Sequence, residues 1–139
     1  MTKTIKILAI DPGKEKCGIA VVEKKDNEII TIHRSIEKSS ELAKSINAII
    51  QSFEIQNIII GNGTNSEKIK SILEAEGLSN IIVVDEAFTT LEAKELYFKE
   101  NPPKGIRKLL PISLQTPSCP YDDYVAKILA LRYLNNLQK

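Results

Sequence analysis

The sequence contains no tryptophan, and aromatic residues make up 5% of its 139 residues. Domains that hold RNA or single strands by stacking bases need an aromatic platform, so that class is disfavoured from the start. There is one histidine, His33, and its place on an outer strand reads as solvated surface, not as a catalytic base. The two cysteines, Cys17 and Cys119, lie far apart without a second pair, which indicates neither a disulfide framework nor a zinc site. Charge is balanced, with 19 basic and 18 acidic residues and a net charge of +1. No global basic field therefore draws the protein to nucleic acid, and any such affinity has to be local. No aliphatic run approaches the roughly 20 residues of a membrane span, and no apolar signal segment follows Met1. The expectation is a cytoplasmic protein with no membrane partner.

What is present is ordinary for a globular protein: 42% hydrophobic and 27% charged residues. A chain of this length fits one domain, residues 1–139, with a real core. The chain is organised around its opening. Ile5–Ile10 reads as a buried strand, and it ends in Asp11-Pro12-Gly13 before a second apolar run at Ile19–Val22. Pro12 fixes φ and Gly13 tolerates φ > 0, so the backbone turns at once and Asp11 stands at the rim. Turn chemistry alone accounts for one such tripeptide, so its meaning depends on its company.

Strands are predicted over 4–10, 17–24 and 28–34, an antiparallel meander with Lys25-Asp26-Asn27 as its second turn. In the third strand Ile30 and Ile32 alternate with Thr31 and His33, which predicts one covered face and one wetter face. Ser39 or Ser40 is placed to cap a helix carrying Leu42, Ile46, Ile49, Ile50 and Phe53. Ile58-Ile59-Ile60 does not alternate, as expected of a parallel strand covered on both faces. After Gly61–Ser66 a helix carries Ile69, Ile72 and Leu73 and is closed by Gly77. Ile81–Val84 is a second buried strand, followed by Asp85-Glu86. Thr89-Thr90-Leu91-Glu92 has the form of a capping box, opening a helix to about Glu100. Residues 101–120 hold five of the six prolines and no period, the mark of a functional or mobile loop. Lys104-Gly105-Ile106-Arg107-Lys108 in this loop is the densest basic patch. A last helix runs from about Tyr121 to Asn136 with Asp122-Asp123 in its first turn. The order βββαβαβαα implies one mixed sheet with helices on its faces.

Three acids thus fall at three element ends: Asp11 after the first strand, Glu86 after the last, and Asp122 or Asp123 at the final helix. Singly, each has a plain explanation in turn chemistry or in the preference of helix N-termini for acids. Together at one sheet edge, where open α/β sheets bind ligands, they point to function. Uncompensated, such carboxylates repel and their pKa values rise. A divalent cation resolves the conflict, and an all-oxygen set suits Mg²⁺ or Mn²⁺ better than zinc.

Asp11-Pro-Gly-Lys-Glu-Lys-Cys-Gly-Ile-Ala-Val21 resembles the first motif of the YqgF family of RNase H-fold nucleases, relatives of Holliday-junction resolvases. Ile59-Ile-Gly-Asn-Gly-Thr64 is similar to the family's Gly-containing loop, although it lacks the Pro common there. Val84–Ala93 is similar to its Asp-Glu-x-x-Thr-Thr motif, with Ala87 where a basic residue often stands. Pro120–Ala126 resembles its final acidic helix. The resemblance runs over nearly the whole chain and implies an RNase H-like five-stranded mixed sheet with helices on both faces. It further implies a metal-dependent nuclease acting on structured nucleic acid, most commonly in maturing the small-subunit rRNA precursor. Junction-DNA resolution is the alternative.

By position, the resemblance makes Asp11, Glu86 and Asp123 the metal ligands, with Asp122 as the rival for the third place. Asp11 would bridge two Mg²⁺ or Mn²⁺ ions, with Glu86 and Asp123 each holding one side. Lys14, Lys16, Thr64, Lys104, Arg107 and Lys108 are the candidate phosphate contacts. The expected partners are structured RNA and branched DNA, with a homodimer left open. Two rivals belong to other classes. One is an inert nucleic-acid or ribosome-assembly module, which would bind without cutting. The other is an actin-like ATP-binding protein, whose phosphate loop also reads Asp-x-Gly but whose site lies between two such domains.

Overall fold

Short polar links between apolar runs leave the first three strands no option but to pair with their sequence neighbours. β1 (Thr4–Asp11), β2 (Lys16–Lys25) and β3 (Glu28–Lys38) form the expected antiparallel meander. The computed structural model describes residues 4–26, 28–63, 65–78, 80–85, 89–101 and 122–137. After the meander come α1 (Leu42–Ser52), β4 (Asn57–Gly61), α2 (Ser66–Ala75), β5 (Ile81–Val84), α3 (Thr89–Glu100) and α4 (Asp122–Leu137). The strands lie in the order β3-β2-β1-β4-β5, with β4 parallel to both β1 and β5. β1 and β5 therefore point the same way with one strand between them, and their C-terminal ends meet one edge of the sheet.

Period-2 geometry divides each central strand between two cores. Leu8, Ile10, Ile19, Val21, Ile58 and Ile60 face α1 and α2, where Leu42, Ile46, Ile69 and Leu73 close over them. Ile7, Ala9, Ala20, Val22 and Ile59 face the other way, against Ala126, Leu129, Ala130 and Leu134 of α4. Helices therefore cover both faces, and Ile58–Ile60 lacks alternation because both of its faces are dry. α3 reaches the sheet through α4, in a third cluster of Ala93, Tyr97 and Phe98 with Tyr124, Val125 and Ile128. Among the described residues no helix is long and apolar enough to cross a membrane.

Several local expectations change, the first being that Ile81–Val84 is not a buried strand: among the described strands β5 has a neighbour on one side only, and Val83 is exposed. β3 runs to Lys38, four residues beyond its predicted end. Its simple alternation fails because a bulge interrupts the pairing with β2: Val22 faces Thr31, Val21 faces His33, and Ile32 is the extra residue. Ile29 and Ile32 consequently pack into opposite cores, while Ile30 is exposed. Neither Ser39 nor Ser40 caps α1; residues Ser39–Glu41 form a 3-10 turn instead, and no side-chain cap bond is made. Glu92, the acid of the expected capping box, has its Oε1 accepting from Arg132 Nη2 at 2.8 Å, and the threonine side chains of that box lie outside the described residues. Gly77 behaves as expected. It is left-handed (φ 88°), and the bonds Gly77 N–H to Glu74 O and Leu78 N–H to Leu73 O complete a Schellman motif.

Candidate active site

Asp11 is the last residue of β1 and lies opposite Gly18 of β2. Two residues beyond Ala9 on the same strand, it belongs to the face covered by α4. The turn behind it depends on Gly13, for a reason other than the expected one. Gly13 does not take a positive φ; an added Cβ would sit 2.1 Å from the carbonyl oxygen of Lys16. Space, not left-handed backbone, is what requires glycine here. Lys14 and Lys16 extend from this turn and are exposed. Ser39, the expected cap, fastens the turn: its hydroxyl donates to Gly13 O at 2.9 Å and its N–H donates to Glu15 O at 2.8 Å.

Asp123 stands in the first turn of α4. It precedes Ala126 and Ala130 by three and seven residues, the spacing of one helix face, and those two alanines are fully buried against the sheet. Because the alanines share their cluster with Ala9 and Ala20, α4 packs closely on this face, and its first turn lies beside β3, where Asp123 borders a cleft with Thr31 and Arg34. Asp11 and Asp123 are thus brought to the same side of the sheet from opposite ends of the sequence. Of the remaining candidate site residues, Glu86, Thr64, Lys104, Arg107 and Lys108 lie outside the described residues. Asp122 opens α4, but its side chain is likewise outside them. Among the described residues no group of three potential ligands is close enough to hold a metal.

Arg34, which the sequence reading missed, shapes the surroundings of Asp123. The β3 bulge turns it onto the α4 side, opposite Ala20. Its Nε lies 3.7 Å from Asp123 Oδ2, its Nη1 lies 3.8 Å from Glu100 Oε2, and its Cζ sits 4.1 Å from the ring centroid of Tyr124. The Tyr124 hydroxyl donates to Glu100. Burial works against the Arg34 charge, but Tyr124, Asp123 and Glu100 outweigh it and hold the guanidinium pKa above its usual value. Burial, then the bond to Glu100, raises the Tyr124 pKa, and Arg34 opposes part of that rise. The group borders an open cleft of about 390 Å³ that also includes Thr31 and Lys127. A second arginine holds the far side of the rim. Arg132 Nη1 donates to Asp85 O at 3.2 Å while Nη2 engages Glu92, which ties α4 to the exit of β5. No sequence period marks either arginine, since their partners are 40 to 90 residues away.

The donor chemistry at this rim is oxygen. Cys17 is buried in the opposite core with its Sγ 3.3 Å from Ser39 Oγ, and His33 pairs with Ser35 Oγ at 3.1 Å. Cys17 thus offers no sulfur to the edge that carries Asp11, and His33, which borders the cleft of Asp123, has its ring 6.4 Å from that of Phe53 in the turn after α1. Two hard carboxylates without soft ligands fit Mg²⁺ or Mn²⁺.

The family model described as "RuvX: Holliday junction resolvase" matches residues 5–110. The chain belongs to the RuvX family. That span contains Asp11 and Glu86 but stops before α4. A relative from Mycoplasmopsis pulmonis, named "Putative pre-16S rRNA nuclease", is 27% identical over 98% of this chain and 97% of its own. A Buchnera aphidicola relative of the same name is 31% identical over 73% of this chain and 84% of its own. Among solved structures, the fowlpox virus resolvase in complex with its substrate Holliday junction DNA superposes with a TM-score of 0.62. It is 16% identical, covering 97% of this chain and 100% of that one. At that identity the likeness shows the fold alone, which is RNase H-like and agrees with the resemblance in the RuvX motifs.

Proposed function

We propose that this RuvX-family chain is a divalent-metal-dependent nuclease, working as one RNase H-like unit over residues 1–139. Its proposed role is to trim the ends of the small-subunit rRNA precursor. The single observation that supports this most is that Asp11, at the end of β1, and Asp123, in the first turn of α4, lie on the same face of the sheet, while β5 ends at the edge of Asp11, one residue before Asp85-Glu86. In this reading Asp11, Glu86 and Asp123 hold Mg²⁺ or Mn²⁺. With such ions held there, a water would have its pKa lowered enough to be hydroxide near neutral pH, and charge on the departing oxygen would be stabilised.

The chain's own residues do the rest. Asp11 and Asp123 are mounted on a strand end and a helix start, so their carboxylates need little reorganisation. Arg34 and Arg132 brace the two sides of that rim, and Lys14 and Lys16 meet phosphates next to it. The family description and the fowlpox likeness favour a second reading, cleavage of branched DNA, for the same site.

The test is cleavage of precursor rRNA and of a four-way DNA junction with Mg²⁺, Mn²⁺ or chelator. Wild type is expected to cut with metal only, and Asp11→Asn to lose nearly all cleavage while binding about as well. Wild type that cuts neither substrate would hand the protein to the inert-module reading. An Asp11→Asn protein that cuts at the wild-type rate would remove Asp11 from the chemistry.

A further inference from the structure

We propose that the β1–β2 turn, the end of β3 and the N-terminus of α2 together form a basic cleft that grips a phosphodiester backbone beside the carboxylate rim. The inference rests on the nuclease reading and adds Lys38 and Lys68 to the nucleic-acid surface.

Two adjoining hollows make up the cleft. One, about 270 Å³, is lined by Lys14, Ser39, Ser40, Asn65 and Lys68. The other, about 420 Å³, shares Lys14 and both serines and adds Lys16 and Lys38. Four lysines from three separate chain segments converge here, with Glu15 the one acid among the lining residues. In a protein of net charge +1 this is a strong local concentration of one sign. The ion pairs among the described residues are made by Arg34 and Arg132, and none of these lysines takes part.

The register makes the point sharper. Lys16 of β2 and Lys38 of β3 are direct cross-strand partners. Like charges directly opposite in a sheet are unfavourable, and an anion lying between them reverses the sign of the pair. The mount is also rigid. Ser39 bonds the turn at Gly13 and Glu15, so Lys14, Lys16 and Lys38 are carried on one fastened backbone unit. Asn65 makes no side-chain cap bond to α2, so its amide is not committed there, and the helix N-terminus adds its own partial positive charge.

Position ties the cleft to the acids. Lys14 follows Asp11 by three residues, so their Cα atoms lie within about 11 Å. At 3.4 Å of rise per nucleotide along a helical strand, a strand cut at Asp11 has phosphates in the cleft within about three nucleotides. Lysine contacts of this kind hold register without reading sequence. The ligand is the sugar-phosphate backbone itself, whether RNA or DNA.

The test measures binding in chelator, where nothing is cut. A four-way DNA junction and a hairpin RNA are titrated by fluorescence anisotropy between about 50 and 200 mM salt. Lys38→Gln/Lys68→Gln is compared with wild type and with Lys24→Gln/Lys25→Gln. The latter removes the same charge at the opposite edge of the sheet, where Lys25 pairs with Thr4. Lys25, Lys38 and Lys68 are exposed and Lys24 is partly exposed, and unchanged melting temperatures verify the fold.

The Lys38/Lys68 variant is expected to bind about tenfold more weakly at the higher salt. Its salt slope should be lower by about 1.8 on duplex, near 0.9 for each lost contact. The Lys24/Lys25 variant should hold close to wild type. A loss confined to one ligand supports the cleft and identifies its backbone. Equal affinities and slopes in the two variants would overturn it. Wild type that binds neither ligand would instead overturn the nuclease reading beneath it.

Discussion

Ala126 is a small residue on which the position of Asp123 depends. It is fully buried, as are Ala9, Ala20 and Ala130 around it. Alanine on both the helix and the sheet lets α4 approach closely, and Asp123 lies one helical turn away. In Ala126→Leu the three added carbons are forced into a position that is already fully buried between helix and sheet, so the first half of α4 is expected to lift. Overpacking of this kind costs about 1–3 kcal/mol. At about 2.1 cal/mol/K per residue, 139 residues give an unfolding entropy of about 290 cal/mol/K, so Tm should fall by about 3–10 °C.

Leu129→Ala is the control. It removes a fully buried side chain from the same helix and cluster, at about 2–5 kcal/mol, but leaves a cavity without pushing α4 outward. The assay is thermal unfolding with and without Mn²⁺. At a hundredfold excess over its Kd a native-state ligand stabilises by about 2.7 kcal/mol, which is about 9 °C for this chain. Wild type and Leu129→Ala should both show the Mn²⁺ increment, and Ala126→Leu should lose most of it. An Ala126→Leu protein with the full increment would refute the idea that close packing of α4 positions Asp123, the proposed third ligand.

Gly13→Ala should destabilise the chain by more than the ordinary cost of leaving a glycine, because its Cβ meets the Lys16 carbonyl at 2.1 Å. Urea unfolding should show the loss. A neutral result would mean that the turn relaxes freely, and would weaken the case for Asp11 as a rigid mount. Tyr124 makes a pH prediction. Its folded pKa is raised by burial and by the bond to Glu100, so it contributes stability that is complete below the unfolded tyrosine value of about 10. That stability is lost as pH rises from there through the folded pKa. The urea midpoint of wild type should fall over this alkaline range more steeply than that of Tyr124→Phe, and parallel curves would contradict the assignment.

The order of elements was legible in the sequence because local chemistry controls it. The unbroken apolar run at Ile58–Ile60 marks a strand covered on both faces, whereas the similar run Ile81–Val84 forms the sheet's edge and leaves Val83 exposed, a difference that only strand order decides. Short links allow β1, β2 and β3 only a meander, and Gly77 ends α2 by its left-handed backbone. Asp11 and the pair Asp122-Asp123 were legible as element ends for the same reason, while the preference for Asp123 over Asp122 came from the family resemblance. Their family came from motifs that the RuvX match then bore out.

Contacts between distant segments were beyond the sequence. Ser39 looked like a cap, yet its hydroxyl serves Gly13 across 26 residues. The bulge in β3, which turns Arg34 toward Asp123, has no signature in an alternation read from one strand, because a bulge exists only relative to its partner. Lys16 and Lys38 became opposed charges only when β2 and β3 chose their register, and Lys68 joined them only when α2 folded back over the sheet. Residue type and local period determine which elements form and where they end. Which side chains then meet is decided by strand order, register and helix docking, and these follow from the burial of the whole chain at once.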